Sequence, residues 1–278
     1  MSIGGGLTAH RPQLMGIINV TPDSFSDGGL HATTAAAIAH GFRLAEEGAD
    51  ILDIGGESPR PGAETMGEDE EIARVVPVIR ALAEAGHRIS IDTRKAAVMS
   101  AAVAAGASMI NDVSALSFDP ASLAMAVRLQ RPVILMHAQG TPRTMQVAPH
   151  YGDVVQDVYA YLEARIEACL AAGLPRSLLL ADPGIGFGKT AKHNLELLHH
   201  LGRFRDLGVP VVVGLSRKAF IGALTGEPRA AERVHGSVGG AIIAMLNGAQ
   251  ILRVHDMRAT RQALAVALAV IDPQANGL

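Results

Sequence analysis

Seven short polar clusters hold the residues of this chain that could do chemistry, and each closes an apolar, β-branched run. They begin at Asn19, Gly55, Asp92, Asn111, Asp182, Ser216 and Arg253. The sharpest is Asp182-Pro183-Gly184-Ile185-Gly186-Phe187-Gly188-Lys189. Its glycines let backbone pass close to a flat ligand, which Phe187 can cover. The Asp182 carboxylate could accept paired N–H donors from an aminopyrimidine-like edge; the alternative is an ordinary Gly-rich turn. Asp92 and Asn111 end neighbouring runs and make a carboxylate/amide pattern suited to a heterocycle, although Asp92 also reads as a helix N-cap. Ser216-Arg217-Lys218 and Arg253-Val254-His255 supply cationic donors for an oxyanion, or else surface ion pairs. Asn19, followed by the polar loop to Gly29, offers an amide oxygen as a weak Mg²⁺ ligand, a cation that leans on substrate phosphate. His137 could be structural, catalytic or merely buried. His193, His199 and His200 read as solvated helix positions. No Cys/His zinc spacing and no Gly-x-Ser-x-Gly elbow occurs.

Positioning these clusters requires a scaffold that brings strand ends together. Eight apolar runs read as strands: 14–18, 51–54, 89–91, 108–110, 133–136, 178–181, 211–213 and 251–254. Helical patterns lie between most of them, at 33–47, 68–84, 153–172, 193–207, 231–246 and 258–271, the first opening at two possible N-caps, Thr33 and Thr34. Eight β/α units in one chain of 278 residues predict a single-domain α/β fold, a TIM (β/α)8 barrel over 13–278, with 1–12 as a flexible N-terminal tail. The rival is a doubly wound open sheet, weakened because no Gly-x-Gly-x-x-Gly follows the first strand. In a barrel the clusters share one mouth, and those after strands seven and eight fall where phosphate is commonly held.

Composition narrows the partners. A net charge of −3 and the absence of Trp argue against nucleic acid. Mean hydropathy is positive, yet no run of about 18 apolar residues suggests a membrane span. The single cysteine, Cys169, sits in an apolar helical pattern and reads as a buried spectator. A cytoplasmic enzyme acting on small molecules is expected.

From Leu14 to about Ile271 the chain resembles dihydropteroate synthase, on Asn19-Val-Thr-Pro-Asp-Ser-Phe-Ser-Asp-Gly-Gly, Gly55-Gly-Glu-Ser, Arg60-Pro-Gly-Ala, Asp92-Thr, Asn111-Asp, Met136-His, Asp182-Pro-Gly-x-Gly-Phe-Gly-Lys, Ser216-Arg-Lys and Arg253-Val-His, in that order. The resemblance implies a TIM barrel, commonly a homodimer. It implies an enzyme joining 4-aminobenzoate to 6-hydroxymethyl-7,8-dihydropterin diphosphate, releasing pyrophosphate, with Mg²⁺ as cofactor and sulfonamides as competitors. By the same resemblance Asp92, Asn111, Asp182 and Lys218 hold the pterin. Asn19, Arg253 and His255 hold the diphosphate, with Mg²⁺ at Asn19. Pro59, Arg60, Pro61, Phe187, Gly188, Ser216 and Lys218 surround the aminobenzoate, and Lys218, Asp92, Arg253 and His255 carry the chemistry. Pro59 stands where the family usually has Thr, and Ala138 where it commonly has Met. A related methyltransferase barrel, a Lys218 Schiff-base aldolase and a non-catalytic pterin-binding paralogue are the competing readings. The loops at 21–30 and 57–67 are expected to be mobile until ligand orders them.

Overall fold

The computed structural model describes residues 11–20, 29–57, 66–140, 145 and 148–276, with the side chains of 29–32 outside that description. The first ten residues, the loop at 21–28 and the segment carrying Pro59, Arg60 and Pro61 lie outside the described residues, as does the expectation of mobile loops there. Eight parallel strands form one sheet: β1 Gln13–Asn19, β2 Ile51–Gly55, β3 Ile89–Asp92, β4 Met109–Asp112, β5 Val133–Met136, β6 Leu179–Asp182, β7 Val212–Val213 and β8 Ile251–Val254. They pair in the order β6-β5-β4-β3-β2-β1-β8-β7. A bridge between Ala181 and Val211 joins the two ends into a nearly closed barrel.

The helices run outside it: α1 Gly29–Glu46, α2 Glu68–Glu84, α3 Ala96–Ala104, α4 Ser122–Leu129, α5 Val154–Ala171, α6 Ala191–His199, α7 Ala219–Thr225, α8 Val234–Leu246 and α9 Met257–Ile271. One follows each strand, except that α7 and α8 both follow β7. Local chemistry sets several ends. Four acidic residues open α2, where the helix dipole favours them. The Asp153 carboxylate accepts from the backbone N–H of Val155 and Gln156 at the start of α5. Thr190 and His193 form a reciprocal cap on α6, so His193 is a capping residue and not merely solvated.

Three expectations are corrected. α1 begins at Gly29, which places Thr33 and Thr34 inside it and not at its cap. The pattern at 193–207 breaks at His200 (φ −99°, ψ 19°), and a 3₁₀ segment, Leu201–Leu207, replaces its second half. The helix expected from 231 starts at Val234, after a short 3₁₀ turn at Ala230–Glu232. Three helices, α3, α4 and α7, have no counterpart among the expected ones.

The barrel packs in two apolar layers. Met15, Ile51, Met109, Ile134, Leu180, Val212 and Ile251 form a separate cluster inside the barrel. Their strand neighbours, such as Leu14, Leu52, Ile110 and Leu252, pack outward in the larger core that includes helix faces. Burial on both faces is why these strands read as continuous apolar runs. Side chains alternate along a strand, so the next inward position is two residues on. Beyond the apolar plug that position is Asp53 on β2, Asn111 on β4, Asp182 on β6 and Arg253 on β8. The polar layer of the mouth therefore sits directly on the plug. No helix among the described residues is long and apolar enough to cross a membrane.

Candidate active site

Arg253 stands at the centre. Its Nε donates to Oδ2 of Asp53 at 2.6 Å, and its Nη2 donates to Oδ2 of Asp92 at 2.7 Å. Asn111 donates through Nδ2 to the same Asp53 oxygen at 3.1 Å. With its amide nitrogen committed there, Asn111 presents its oxygen as the acceptor. Asp92 lies in register with Gly55 on one side and Asn111 on the other. Its carboxylate is a partner of Arg253 and not a cap: α3 starts at Ala96 with no side-chain cap. Burial pushes the Asp92 carboxyl up, opposed by Arg253 and reinforced by Asp53.

Across the mouth, Asp182 accepts from the backbone N–H of Gly184 at 2.7 Å. Burial pushes its carboxyl up as well. Lys218 lies over the Phe187 ring, with Nζ 3.7 Å from the centroid. Burial and then the charge of Arg253 push its ammonium down. Two glycines make this approach possible. At Gly186 (φ +84°) a Cβ would sit 2.8 Å from Lys218 Cδ. At Gly184 (φ +68°) it would overlap the carbonyl oxygen of His137. A cavity of about 200 Å³ opens here, lined by Asp92, Val113, Ala138 and Phe187 with Arg94, Phe118 and Tyr161.

A second cleft, about 590 Å³, opens at the ends of β1 and β8 and is lined by Asn19, His40, Arg43, Arg217, His255 and Arg258 among others. Burial, then the charges of Arg217, Arg253 and Lys218, push His255 down to about 3, so its imidazole is neutral. Ser216 Oγ accepts the backbone N–H of His255 at 3.2 Å and lies 3.1 Å from its Nδ1. The Ser216 hydroxyl, which can donate as well as accept, thereby orients the imidazole ring. Ser216, expected beside aminobenzoate, thus has its hydroxyl committed to His255. Arg217 (φ +61°) is held by Asp256, at 3.1 Å through Nε and 2.5 Å through Nη2. Gly188 (φ +63°) follows Phe187 directly and packs against Gln139.

Among the expected residues, Asn19, Asp92, Asn111, Asp182, Phe187, Gly188, Ser216, Lys218, Arg253 and His255 all lie on the loops and strand ends of the mouth. Pro59, Arg60 and Pro61 are outside the described residues. Two functional groups escaped the sequence reading. Asp53 is fully buried, and its signal was a lone acid inside Ile51-Leu52-Asp53-Ile54. Glu57, at the exit of β2, takes Arg94 (3.1 Å), Lys95 (3.3 Å) and the N–H of Met66 (3.2 Å). Burial alone would raise its carboxyl, but Arg94 and Lys95 hold it low. Lys95 continues to buried Glu71 at 2.5 Å. Glu57 is therefore the anchor of the second loop, tying the residues that flank 58–65. Cys169 is buried and unpaired, with its thiol pushed up by burial to about 11.

A Mg²⁺ ion fits the second cleft on the chemistry of Asn19, which lines it. Among the described residues no group of three or more His, Cys, Asp or Glu could hold a metal. Among the described residues Asn19 offers one amide oxygen, and a bound diphosphate and water would supply further ligands, as this hard cation accepts.

Residues 15–255 match the family of pterin binding enzymes. The chain is 50% identical to a dihydropteroate synthase of Neisseria meningitidis serogroup B, over 92% of each chain. It is 54% identical to the dihydropteroate synthase of Xanthomonas albilineans solved with 4-aminobenzoic acid, with a TM-score of 0.89 over 94% of each chain. That enzyme in complex with 7,8-dihydropteroate superposes with a TM-score of 0.86 over 96% of each chain, at 52% identity. The chain belongs to the dihydropteroate synthases, within the family of pterin binding enzymes.

Proposed function

We propose that this protein joins 4-aminobenzoate to 6-hydroxymethyl-7,8-dihydropterin diphosphate, giving 7,8-dihydropteroate and pyrophosphate. The observation that carries it is the gathering of Asp92, Asn111 and Asp182 about Arg253 in the polar layer on the apolar plug, with a cleft lined by Asn19, Arg217 and His255 at the ends of β1 and β8. The carboxylates and the Asn111 oxygen accept the N–H groups of the pterin edge. Arg253, the His255 imidazole and the Asn19 amide face the diphosphate. The C–O bond to diphosphate breaks first, the aryl amine then forms the C–N bond at the cationic methylene carbon, and the amine loses one proton to solvent. Arg253 and His255 act on charge that grows on the leaving oxygen, where fixed donors are most effective. Asn19 would hold Mg²⁺ together with the diphosphate, and the ion would supply charge neutralisation to the leaving group. Asp92 and Asp182, with carboxyls already strained by burial, favour positive charge on the pterin ring as the methylene becomes electron-poor. Phe187 and Lys218 form one wall of the aminobenzoate subsite, to which the resemblance also assigns Arg60 and Pro61. The aryl amine needs positioning, not a strong base.

A homodimer and a cytoplasmic location belong to the same proposal. Large apolar side chains stand exposed on the neighbouring helices α8 and α9, Ile243 at 49%, Val266 at 66% and Val270 at 74%, which supports a self-association face. The unpaired buried Cys169 is compatible with a reducing compartment. Pyrophosphate release tests the reaction. It should require the pterin diphosphate and 4-aminobenzoate together, and sulfonamide should compete with the amine; release from the diphosphate alone at the same rate would show a hydrolase instead.

A further inference from the structure

The chemistry above leaves the buried cation Lys189 unused. Lys189 ends the Gly-rich loop after β6 and is 3% exposed. Its Nζ lies 2.9 Å from Nδ1 of His137, 3.0 Å from the carbonyl oxygen of Phe187 and 3.4 Å from that of His137. Three acceptors around one nitrogen match the three N–H donors of an ammonium. A neutral amine has two donors and would turn a lone pair toward an acceptor. Burial and the lysine's charge hold His137 at about 3, so its Nδ1 is available to accept. Burial pushes Lys189 itself down to about 7, while Asp182 opposes this and Lys218 adds to it.

The pair joins two loops of the mouth. His137 closes β5, and its ring meets Tyr161 of α5 edge-to-face at 4.9 Å. Tyr151, ahead of α5, donates through its hydroxyl to the Gly188 carbonyl at 2.8 Å, and its ring centroid is 6.0 Å from Lys189 Nζ. Gly184 and Gly188 have no room for a Cβ against His137 and Gln139, so the two loops touch backbone to backbone. The carbonyl that Lys189 grips belongs to Phe187, and the Phe187 ring is the one against Lys218.

We propose that Lys189, with His137 as its acceptor, is a positioning residue for the aminobenzoate subsite: it fixes the Phe187 backbone and thereby the ring-to-Lys218 wall. This rests on the functional reading above, because it takes Phe187 to face the aminobenzoate. Asp92 and Asn111 are held by Arg253 and Asp53, and the Asp182 carboxylate keeps its own hydrogen bond from the Gly184 N–H while feeling the Lys189 charge, so the effect should fall mainly on one ligand.

Lys189→Met keeps the aliphatic stem and removes all three donors. Calorimetry on the folded variant measures 6-hydroxymethyl-7,8-dihydropterin alone, and 4-aminobenzoate in the presence of pterin, pyrophosphate and Mg²⁺. The expected result is aminobenzoate binding weakened about tenfold with pterin affinity within about threefold of wild type, a split that general loosening does not produce. Equal losses for both ligands, a loss for pterin alone, or no change in either would overturn the assignment. If Lys189→Met does not fold, His137→Phe carries the same expectation and the same overturning outcomes, because it keeps an aromatic ring beside Tyr161 and removes the acceptor. Binding is read without turnover, so a wild type that binds both ligands but releases no pyrophosphate contradicts the reaction and leaves this assignment standing. Wild-type protein that binds neither ligand overturns both.

Discussion

Arg253 commits Nε to Asp53 and Nη2 to Asp92, so removing it uncovers two buried carboxylates as well as deleting the proposed diphosphate contact. Arg253→Met is expected to weaken binding of the pterin diphosphate most, and binding of the unphosphorylated pterin by a smaller but measurable amount. Calorimetry with both ligands checks this; equal losses would mean that Arg253 does not face the diphosphate. Asp182→Ala deletes an acceptor in a buried pocket and should cost about 1–3 kcal/mol of pterin affinity, because ligand donors are left unpaired. His255 gives a pH signature. Its folded value is depressed to about 3 from an ordinary 6.5. Between those values the unfolded chain binds the extra proton, so the stability tied to the neutral ring is present above pH 6.5 and is lost as pH falls toward 3. His255→Gln should therefore close its stability gap to wild type, or gain on it, between pH 7.5 and pH 5 in urea unfolding. A gap that widens on acidification contradicts a buried neutral imidazole.

At the scale of elements, the loops after β5 and β6 carry the strictest backbone demand. Gly184→Ala places a methyl on the His137 carbonyl at a left-handed φ of +68°. The expected outcome is a loss of about 1–3 kcal/mol in denaturant unfolding together with weakened ligand binding; a stability equal to wild type would mean that the loops separate easily. The strands were legible in the sequence because barrel burial on both faces writes them as apolar runs closed by polar residues, and β5 and β8 carry the expected bounds. α3, with the sequence Ala96-Ala-Val-Met-Ser-Ala-Ala-Val-Ala104, was not legible. It is apolar nearly all round, and periodicity cannot separate such a helix from a buried strand. α4 and α7, of 8 and 7 residues, are too short to show a period. The site residues that end strands were readable from their place after apolar runs. Asp53 was hidden by sitting inside one, and the roles of Ser216 and Lys189 depend on partners, His255 and His137, that the chain brings from 39 and 52 positions away.

For the molecule as a whole, the catalytic layer rests on the apolar plug at one end of the barrel, and the exposed apolar face of α8 and α9 lies on the outer ring of helices. Sedimentation equilibrium is expected to show a dimer, and Val266→Glu with Val270→Glu to shift it to monomer; a monomeric wild type at micromolar concentration contradicts self-association there. The most direct test of the reaction and its site is product formation by wild type and Asp182→Ala side by side. With labelled 4-aminobenzoate, pterin diphosphate and Mg²⁺, wild type should form one 7,8-dihydropteroate per pyrophosphate released. Asp182→Ala should lose about tenfold or more in kcat/KM for the pterin substrate, the counterpart of 1.4 kcal/mol. A wild type that makes no dihydropteroate, or an Asp182→Ala variant that makes it at the wild-type rate, would contradict this assignment of reaction and site.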